Sequence, residues 1–383
     1  MSIPSRTVFL LGLLAGPLSG AEPPFATELS IGFGYEGSAT DRPIVVLDGI
    51  PSSAYEYSAD GRAHTVDVAA TRWFTPVGDD GRTPLALLPY VARSSSVTAR
   101  FALSGMSRDS FGSFSGQVSS LEVRFAGDGS LREADLSAEW FLGRSLAVLG
   151  SFEYGNERET AASTGVERPS GRADVSTAGT RSSVATGSLG LALRLGEHEV
   201  SATGSYGETD LTREDASAFT GSAQPFFSTL TSEGIVRRVT LGTRLLLLER
   251  RLAVDASGRY AETTTSSDVT TSLSSPFAEG RAISREAAVE LTWFATRGLG
   301  ISAGLGCGTN DVSSGSPGRV RPSRSETART LSAGVRWFAS KRVSAVLSAS
   351  RTQSEETAPP DSTTYQRFDE TVGRVMLGAA LRF

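Results

Sequence analysis

The residues that could do chemistry are few and lie far apart in this chain. There are two histidines, His64 and His198, and one cysteine, Cys307. General acid–base catalysis most often uses a histidine placed beside its partner group. Neither histidine is accompanied by a Gly-x-Ser-x-Gly nucleophile elbow, and one cysteine supports no disulfide framework and no cysteine-based metal site. The sequence therefore predicts no enzyme, no metal site and no cofactor, and a hydrolase that uses His64 stays as an alternative.

Two further motifs resemble ligand sites but are incomplete. Asp79-Asp80-Gly81 is similar to a calcium-binding turn, yet the rest of a calcium loop does not follow it. The glycine-rich run Gly304-Leu305-Gly306-Cys307-Gly308 alternates like a strand and lacks the strand–helix setting of a phosphate-binding loop. We expect both motifs to be structural.

Charged residues that recur on one face of alternating segments are the remaining candidates for a functional role. Val239, Leu241 and Leu245, for example, alternate with Arg238 and Arg244. Alternation with period two predicts β-strands. If the apolar face contacts lipid, the charges must point inward, since a charge facing lipid at the bilayer midplane costs ~2–4 kcal/mol. The predicted pore-lining charges are Arg100, Glu139, Glu153, Arg194, Glu199, Arg238, Arg244, Asp255, Arg259, Glu290, Arg336 and Arg374.

Large aromatic residues collect at the ends of these alternating segments. All four tryptophans are followed by phenylalanine, and the chain ends on Leu381-Arg382-Phe383. Aromatic rings gathered at one level of many strands are typical of the interfacial girdle of a transmembrane β-barrel. The predicted girdle comprises Trp73, Phe74, Trp140, Trp293, Trp337 and Phe383.

The N-terminal residues predict export. Arg6 is followed by the apolar run Val8 to Ala15, and Ser19-Gly20-Ala21 offers small residues for cleavage. Residues 1–21 are therefore predicted to be a signal peptide. No later segment approaches the ~20 apolar residues of a membrane helix. Residues 22–383 are predicted to form one transmembrane β-barrel domain in the bacterial outer membrane.

The turns predict an up-and-down antiparallel barrel. Short turns such as Gly143-Arg144 and Gly196-Glu197 alternate with long polar stretches, which are 156–182, 210–234, 264–280, 309–325 and 353–369. Short periplasmic turns and long extracellular loops are typical of outer-membrane barrels. We count fourteen strands, with twelve or sixteen left open by residues 76–130. That stretch holds Pro84 and Pro89, which suit a short periplasmic helix, and an alternating run at 114–125.

Together these features resemble the bacterial outer-membrane porins. The resemblance rests on the signal peptide, the alternating strands, the girdle and the terminal pattern Val375-x-Leu377-x-Ala379-x-Leu381-x-Phe383. It implies a channel for passive diffusion of small hydrophilic solutes. The excess of inward arginines over inward acids predicts a weak anion preference. Two alternatives stay open, a structural or surface-interaction barrel with a closed lumen and a barrel hydrolase.

The resemblance also implies partners. These are outer-membrane lipids and lipopolysaccharide, the outer-membrane assembly machinery through the C-terminal strand, and small hydrophilic solutes. A net charge of −5 argues against nucleic acid as a partner. The sequence leaves open the transported solute, the choice between monomer and trimer, and the identity of any loop that constricts the pore.

Overall fold

A computed structural model of the chain describes residues 24–42, 54–115, 120–168, 173–219, 226–271, 277–316, 319–357 and 367–383. The predicted signal peptide at residues 1–21 lies outside these ranges. Within them, fourteen antiparallel strands form one closed barrel, in which each strand pairs with its sequence neighbours and the first pairs with the last. The predicted fold class and strand number are confirmed. The strands are β1 Phe25–Arg42, β2 Ala54–Val77, β3 Ser96–Ser115, β4 Ser120–Phe141, β5 Leu146–Arg168, β6 Ala173–Leu195, β7 His198–Phe219, β8 Phe226–Leu247, β9 Leu252–Thr271, β10 Phe277–Thr296, β11 Leu299–Ser316, β12 Arg319–Phe338, β13 Val343–Thr357 and β14 Arg367–Arg382.

The alternation of each strand determines which side chains face outward. In β8, Val239 and Leu241 are about half exposed on the outer surface, whereas Leu246 is buried inside the barrel. The same parity recurs around the barrel and leaves large apolar side chains exposed on its outside. A continuous exposed apolar belt on a closed barrel fits contact with lipid rather than water.

Five tight connections lie at one end of the barrel. They are residues 142–145, 196–197, 248–251, 297–298 and 339–342. Two of them require left-handed backbone, with φ of 65° at Gly196 and 70° at Arg250. Glycine adopts such angles without strain, whereas arginine does so only in a tight turn. This end is called the short-turn end below.

At the opposite end the strands run much further than the sequence predicts. Most residues of the predicted loops continue the paired ladders, so that Asp174 still pairs with Phe219 and Ser228 with Thr271. The predicted loop boundaries are therefore wrong. Beyond the lipid both faces of a hairpin meet water, so the apolar alternation fades while Ser and Thr residues still favour strands.

The connection between β2 and β3 is the longest at the short-turn end. It contains the helix α1, Leu88–Ala92, with a proline in its first turn and a left-handed Arg93 after its end. The short helix predicted in this stretch is confirmed. Residues 114–125 belong to the β3–β4 hairpin and add no further strand, while 116–119 lie outside the described residues. No helix among the described residues is long and apolar enough to cross a membrane.

The β1–β2 ladder shifts register between Arg72 and the end of β2. Thr27 pairs with Arg72, and the next paired residues are Phe25 and Val77. Arg72 therefore stays on the outward face, where its guanidinium donates to Thr27 Oγ1 at 2.8 Å. The shift instead turns Phe25 and Val77 into the barrel, where both are buried.

Candidate functional site: a lumen obstructed at the short-turn end

The β2–β3 connection, residues 78–95 and called the crossing segment, reaches across the barrel to the other turns. The Arg93 guanidinium donates to the carbonyls of Arg144, in the β4–β5 turn, and Gly196, in the β6–β7 turn. The Tyr90 hydroxyl donates to the carbonyl of Glu197 at 3.1 Å. One flank of the segment is thus fixed to two of the five turns.

The other flank is held by carboxylates. Asp80 pairs with Arg250 of the β8–β9 turn at 3.2 Å. Asp79 pairs with Arg297 of the β10–β11 turn and lies 3.9 Å from Lys341 Nζ of the β12–β13 turn. The crossing segment therefore contacts all five tight turns of the described chain. A segment fixed at points all around a rim crosses the opening that the rim encloses.

The Asp79-Asp80-Gly81 motif serves this anchoring and folds the turn on itself. Asp79 accepts from the Gly81 amide at 2.9 Å, and Asp80 accepts from the Thr83 amide at 2.7 Å and its hydroxyl at 2.6 Å. Burial raises the pKa of Asp80, but these hydrogen bonds and the charge of Arg250 outweigh it and hold that pKa well below its usual range. Asp80 is therefore an ionised anchor of the crossing segment.

Apolar contacts seal the segment against the inner wall in two clusters. Burying such side chains against one another is favourable, and the rings fix the segment more firmly than its polar anchors alone. The first cluster comprises Phe25, Trp73, Val77, Leu85, Leu88 and Phe338. The second comprises Leu87, Leu246, Ala253 and Phe294, with Ala86, Tyr90 and Val91 packed against it.

Trp73 does not belong to the outward girdle in which the sequence analysis placed it. Its side chain is 7 % exposed and packs edge-on against Phe25, with ring centroids 5.5 Å apart. The reason is the strand parity: Val66 and Val68 face outward, so the odd-numbered Trp73 faces inward. In the other three Trp-Phe pairs the order is reversed and the tryptophan is the outward ring.

The remaining predicted girdle residues do face outward. Each is more than half exposed at the short-turn end of the apolar belt, namely Phe74, Trp140, Trp293, Trp337 and Phe383. A second set of outward aromatic residues was missed by the sequence analysis. Tyr35, Tyr154, Tyr206 and Tyr260 are exposed to similar extents further along their strands. Their regular position at the far end of each apolar run was the signal that could have revealed them.

Arg194 connects the inner wall to the crossing segment. Its side chain is almost fully buried, forms ion pairs with Glu139 at 2.9 Å and with Glu199, and donates to the carbonyl of Tyr90 at 2.8 Å. Its guanidinium also lies 4.2 Å from the centroid of the Tyr90 ring. These contacts use Arg194, Glu139 and Glu199 to fix the segment, and leave less of their charge available to a solute.

Most of the other predicted pore-lining charges form pairs on the inner wall. Arg244 pairs with Asp255 at 2.5 Å, and Arg259 with Glu286 at 3.5 Å. Arg100 pairs with Asp67. Arg238 on β8 reaches Glu153 on β5 at 3.3 Å, although β6 and β7 separate these strands. One charge pair therefore spans the β5–β8 part of the inner wall, and the others join neighbouring strands.

On the β10–β14 side, a cavity of about 540 Å³ lies directly on the crossing segment. Ala86 and Leu87 of the segment form its floor, and Phe294, Val346 and Met376 of the wall also line it. The predicted residues Glu290, Arg336 and Arg374 line the same cavity, as do Arg244 and Asp255. The cavity is amphiphilic, with an apolar floor and charged walls.

A second cavity of about 560 Å³ lies beside the first, along the inner wall of β11. Glu290 and Ser332 line both cavities, so the two are adjacent. The inward positions of β11 in this second cavity are Gly304, Gly306, Gly308 and Asn310, and the three glycines leave that part of the wall smooth. The glycine run of the sequence thus widens one side of the lumen.

His64 lies outside this lumen. It occupies an outward position of β2, and its ring lies tilted against that of Tyr35 with centroids 5.2 Å apart. His198 accepts from the Leu246 amide at 3.4 Å beside a tight turn. The structure does not bring either histidine into the cavities.

Comparison with known proteins supports the fold but gives no family. No protein-family profile matches the chain, and no curated protein matches it. The solved structures that resemble the barrel include the following three. The first is a TodX monoaromatic hydrocarbon channel, a deltaS2S3 mutant, with a TM-score of 0.58, 12% identity and coverage of 94% of this chain and 91% of that one.

The second is the toluene transporter TodX of Pseudomonas putida, with a TM-score of 0.57, 10% identity and coverage of 94% and 90% of the two chains. The third is a FadL homologue of Pseudomonas aeruginosa, with a TM-score of 0.50, 10% identity and the same coverage. All are bacterial outer-membrane barrels. The chain is therefore an outer-membrane β-barrel, as the sequence predicts.

The predicted hydrophilic porin with weak anion preference is wrong. The solved barrels to which the chain is similar are named as hydrocarbon and toluene channels or transporters. The crossing segment obstructs the short-turn end, and most of the inward arginines counted toward anion preference are neutralised in pairs. An open aqueous pore lined by free charge does not describe this lumen.

Proposed function

We propose that this barrel is a channel through which small hydrophobic compounds cross the outer membrane. The observation that carries the proposal is the amphiphilic cavity on the crossing segment. Leu87, Phe294, Val346 and Met376 offer apolar surface in this cavity, where a hydrophobic compound can leave water. The names of the similar TodX barrels support the same class of compound.

The obstruction of the short-turn end supports a channel that does not leak hydrophilic solutes. A hydrophobic compound needs a pathway of apolar patches and a transient opening, whereas a general porin needs continuous water. We propose that the compound enters the second cavity along β11, called the β11 groove below. It then moves onto the floor at Leu87 and leaves when the crossing segment shifts. No catalytic step is part of this proposal.

A glycine pair in the wall tests the route. Gly306→Trp places a large ring in the β11 groove, where an added Cβ meets neighbours only at ordinary contact distances. Gly204→Trp is the matched control, since Gly204 occupies an outward position of β7 with open space around it. Uptake of a fluorescent hydrophobic naphthyl compound by intact bacteria should fall about tenfold for the first variant and stay near wild type for the second.

Equal uptake by the wild type and Gly306→Trp, with both barrels present in the outer membrane, would contradict the proposed route. A second function, a structural barrel with a closed lumen, is favoured by the charge pair that spans from Arg238 to Glu153. That function predicts no protein-dependent uptake by any variant, including the wild type.

A further inference from the structure

The outer surface carries a group of arginines where the apolar belt ends. On β4, β5 and β6 the first charged outward residue, counted from the short-turn end, is an arginine in each case. These residues are Arg132, Arg158 and Arg181, and all three side chains are exposed. Tyr154, an outward aromatic residue of the belt, lies four positions before Arg158 on the same strand.

The strand register brings the three arginines together. Arg158 is directly opposite Arg181 in the β5–β6 ladder. Arg132 is opposite Asn156, two positions from Arg158 on the same face. Side chains opposite each other in an antiparallel pair have Cβ atoms ~4.5–5.5 Å apart. The three guanidinium groups can therefore reach one bound group.

None of these arginines forms an ion pair or a side-chain hydrogen bond with another described residue. The nearest outward acids lie two register positions away. Asp128 pairs with Thr160 in the ladder, and Asp210 pairs with Ser183, whose hydroxyl lies 3.5 Å from its carboxylate. Like charges directly opposite each other are destabilising unless an anion lies between them. Among the described residues, the three arginines thus form a positive cluster without ion-pair partners, with two acids at its edge.

Phosphate is the anion that this site fits. The guanidinium fork binds phosphate oxygens with two parallel hydrogen bonds, and neighbouring arginines can share one phosphate group. The position of the site relative to the membrane–water interface restricts the source of the phosphate. Aromatic belts mark the membrane–water interface, so the next charged residues lie at the level of lipid headgroups.

We propose that Arg132, Arg158 and Arg181 bind the phosphate groups of a phosphorylated outer-leaflet glycolipid, the lipid A of lipopolysaccharide. The site gives β4–β6 a preferred lipid contact and relieves the repulsion between Arg158 and Arg181. It is separate from the lumen and does not depend on the compound that the channel carries.

Two arginines on the other side of the barrel supply a matched control. Arg281 and Arg285 on β10 are also outward and exposed, but they pair with Glu262 at 2.9 Å and with Asp311 at 3.1 Å. The variants R158Q/R181Q and R281Q/R285Q therefore remove the same charge from the same surface. Only the first pair removes arginines that no acid neutralises.

The experiment measures lipid A binding to the detergent-purified full chain by native mass spectrometry. We expect R158Q/R181Q to bind diphosphorylated lipid A about tenfold more weakly than the wild type, since charge-assisted hydrogen bonds are lost. R281Q/R285Q should bind like the wild type. Equal loss in both variants would show general charge attraction and overturn the site.

Two further arms use the wild type alone, so that the test does not depend on the folding of a variant. Dephosphorylated lipid A should bind more weakly, and equal binding of both lipids would overturn a phosphate site. Inorganic phosphate should compete poorly. Competition by phosphate as strong as that by the lipid would mean a free-anion site and would overturn the lipid assignment.

Discussion

At the residue scale, the two rings of each Trp-Phe pair face opposite sides of the barrel wall. In β12, Trp337 faces outward and Phe338 is buried against the crossing segment. In β2 the roles are exchanged, so Trp73 is the inward ring and Phe74 the outward one. Parity alone assigns these roles, because neighbouring residues of a strand point to opposite faces.

Replacing Trp73 by alanine should destabilise the barrel strongly. The ring is buried beside Phe25 and the segment residues Leu85 and Leu88, so its loss leaves a cavity that costs about 3–5 kcal/mol. Trp140→Ala, at an outward position, should cost less. The free energy of unfolding in lipid vesicles, from urea titration, measures both. Equal costs would contradict the inward placement of Trp73.

Asp80 makes the anchoring of the crossing segment dependent on pH in a defined direction. The pKa of Asp80 is lower in the folded chain than in the unfolded chain. Its contribution to the free energy of unfolding is therefore complete above the pKa of the unfolded chain, and it is lost as the pH falls through the pKa of the folded chain. The difference in thermal midpoint between the wild type and Asp80→Asn should be constant from about pH 7 to about pH 5 and shrink below about pH 4. A difference that shrinks already near pH 6 would contradict this.

At the scale of elements, the crossing segment decides whether the lumen is open. It is held by turns at five points and by two apolar clusters. Replacing residues 79–93 with a short Gly-Ser linker should therefore produce steady channels in planar bilayers, while the wild type stays silent or opens briefly. An equal-length Gly-Ser replacement is the control for chain length, and should open the lumen by removing the anchors alone.

Steady wild-type conductance of the same size as that of the shortened variant would contradict the obstruction. Conductance from neither variant would place the block elsewhere in the barrel, for example at the charge pair between β5 and β8.

The strands could be predicted from the sequence because lipid on one side and polar residues on the other impose period two. The parity of Val66 and Val68 also determines the side of Trp73, so that error was avoidable. The long hairpins could not be found in this way, because water contacts both of their faces. The crossing segment could not be found either, since Arg93 and Asp79 bind turns far away in the chain.

At the scale of the whole molecule, the lumen has two unlike sides. The ion pair Arg238–Glu153 spans from β8 to β5 on one side, and glycines on β11 leave space on the β10–β14 side. The space ends on the apolar floor at Leu87 and Phe294. In the function proposed above, a hydrophobic compound follows the side with the cavities.

The most direct test of this account compares two solutes in one strain. Intact bacteria that express the full chain, and lack their own general porins, take up a hydrophobic naphthyl compound and a small hydrophilic β-lactam in parallel. We predict that the protein raises the uptake rate of the naphthyl compound about tenfold or more over the empty strain and leaves that of the β-lactam unchanged. Faster entry of the β-lactam without faster entry of the naphthyl compound would contradict the account.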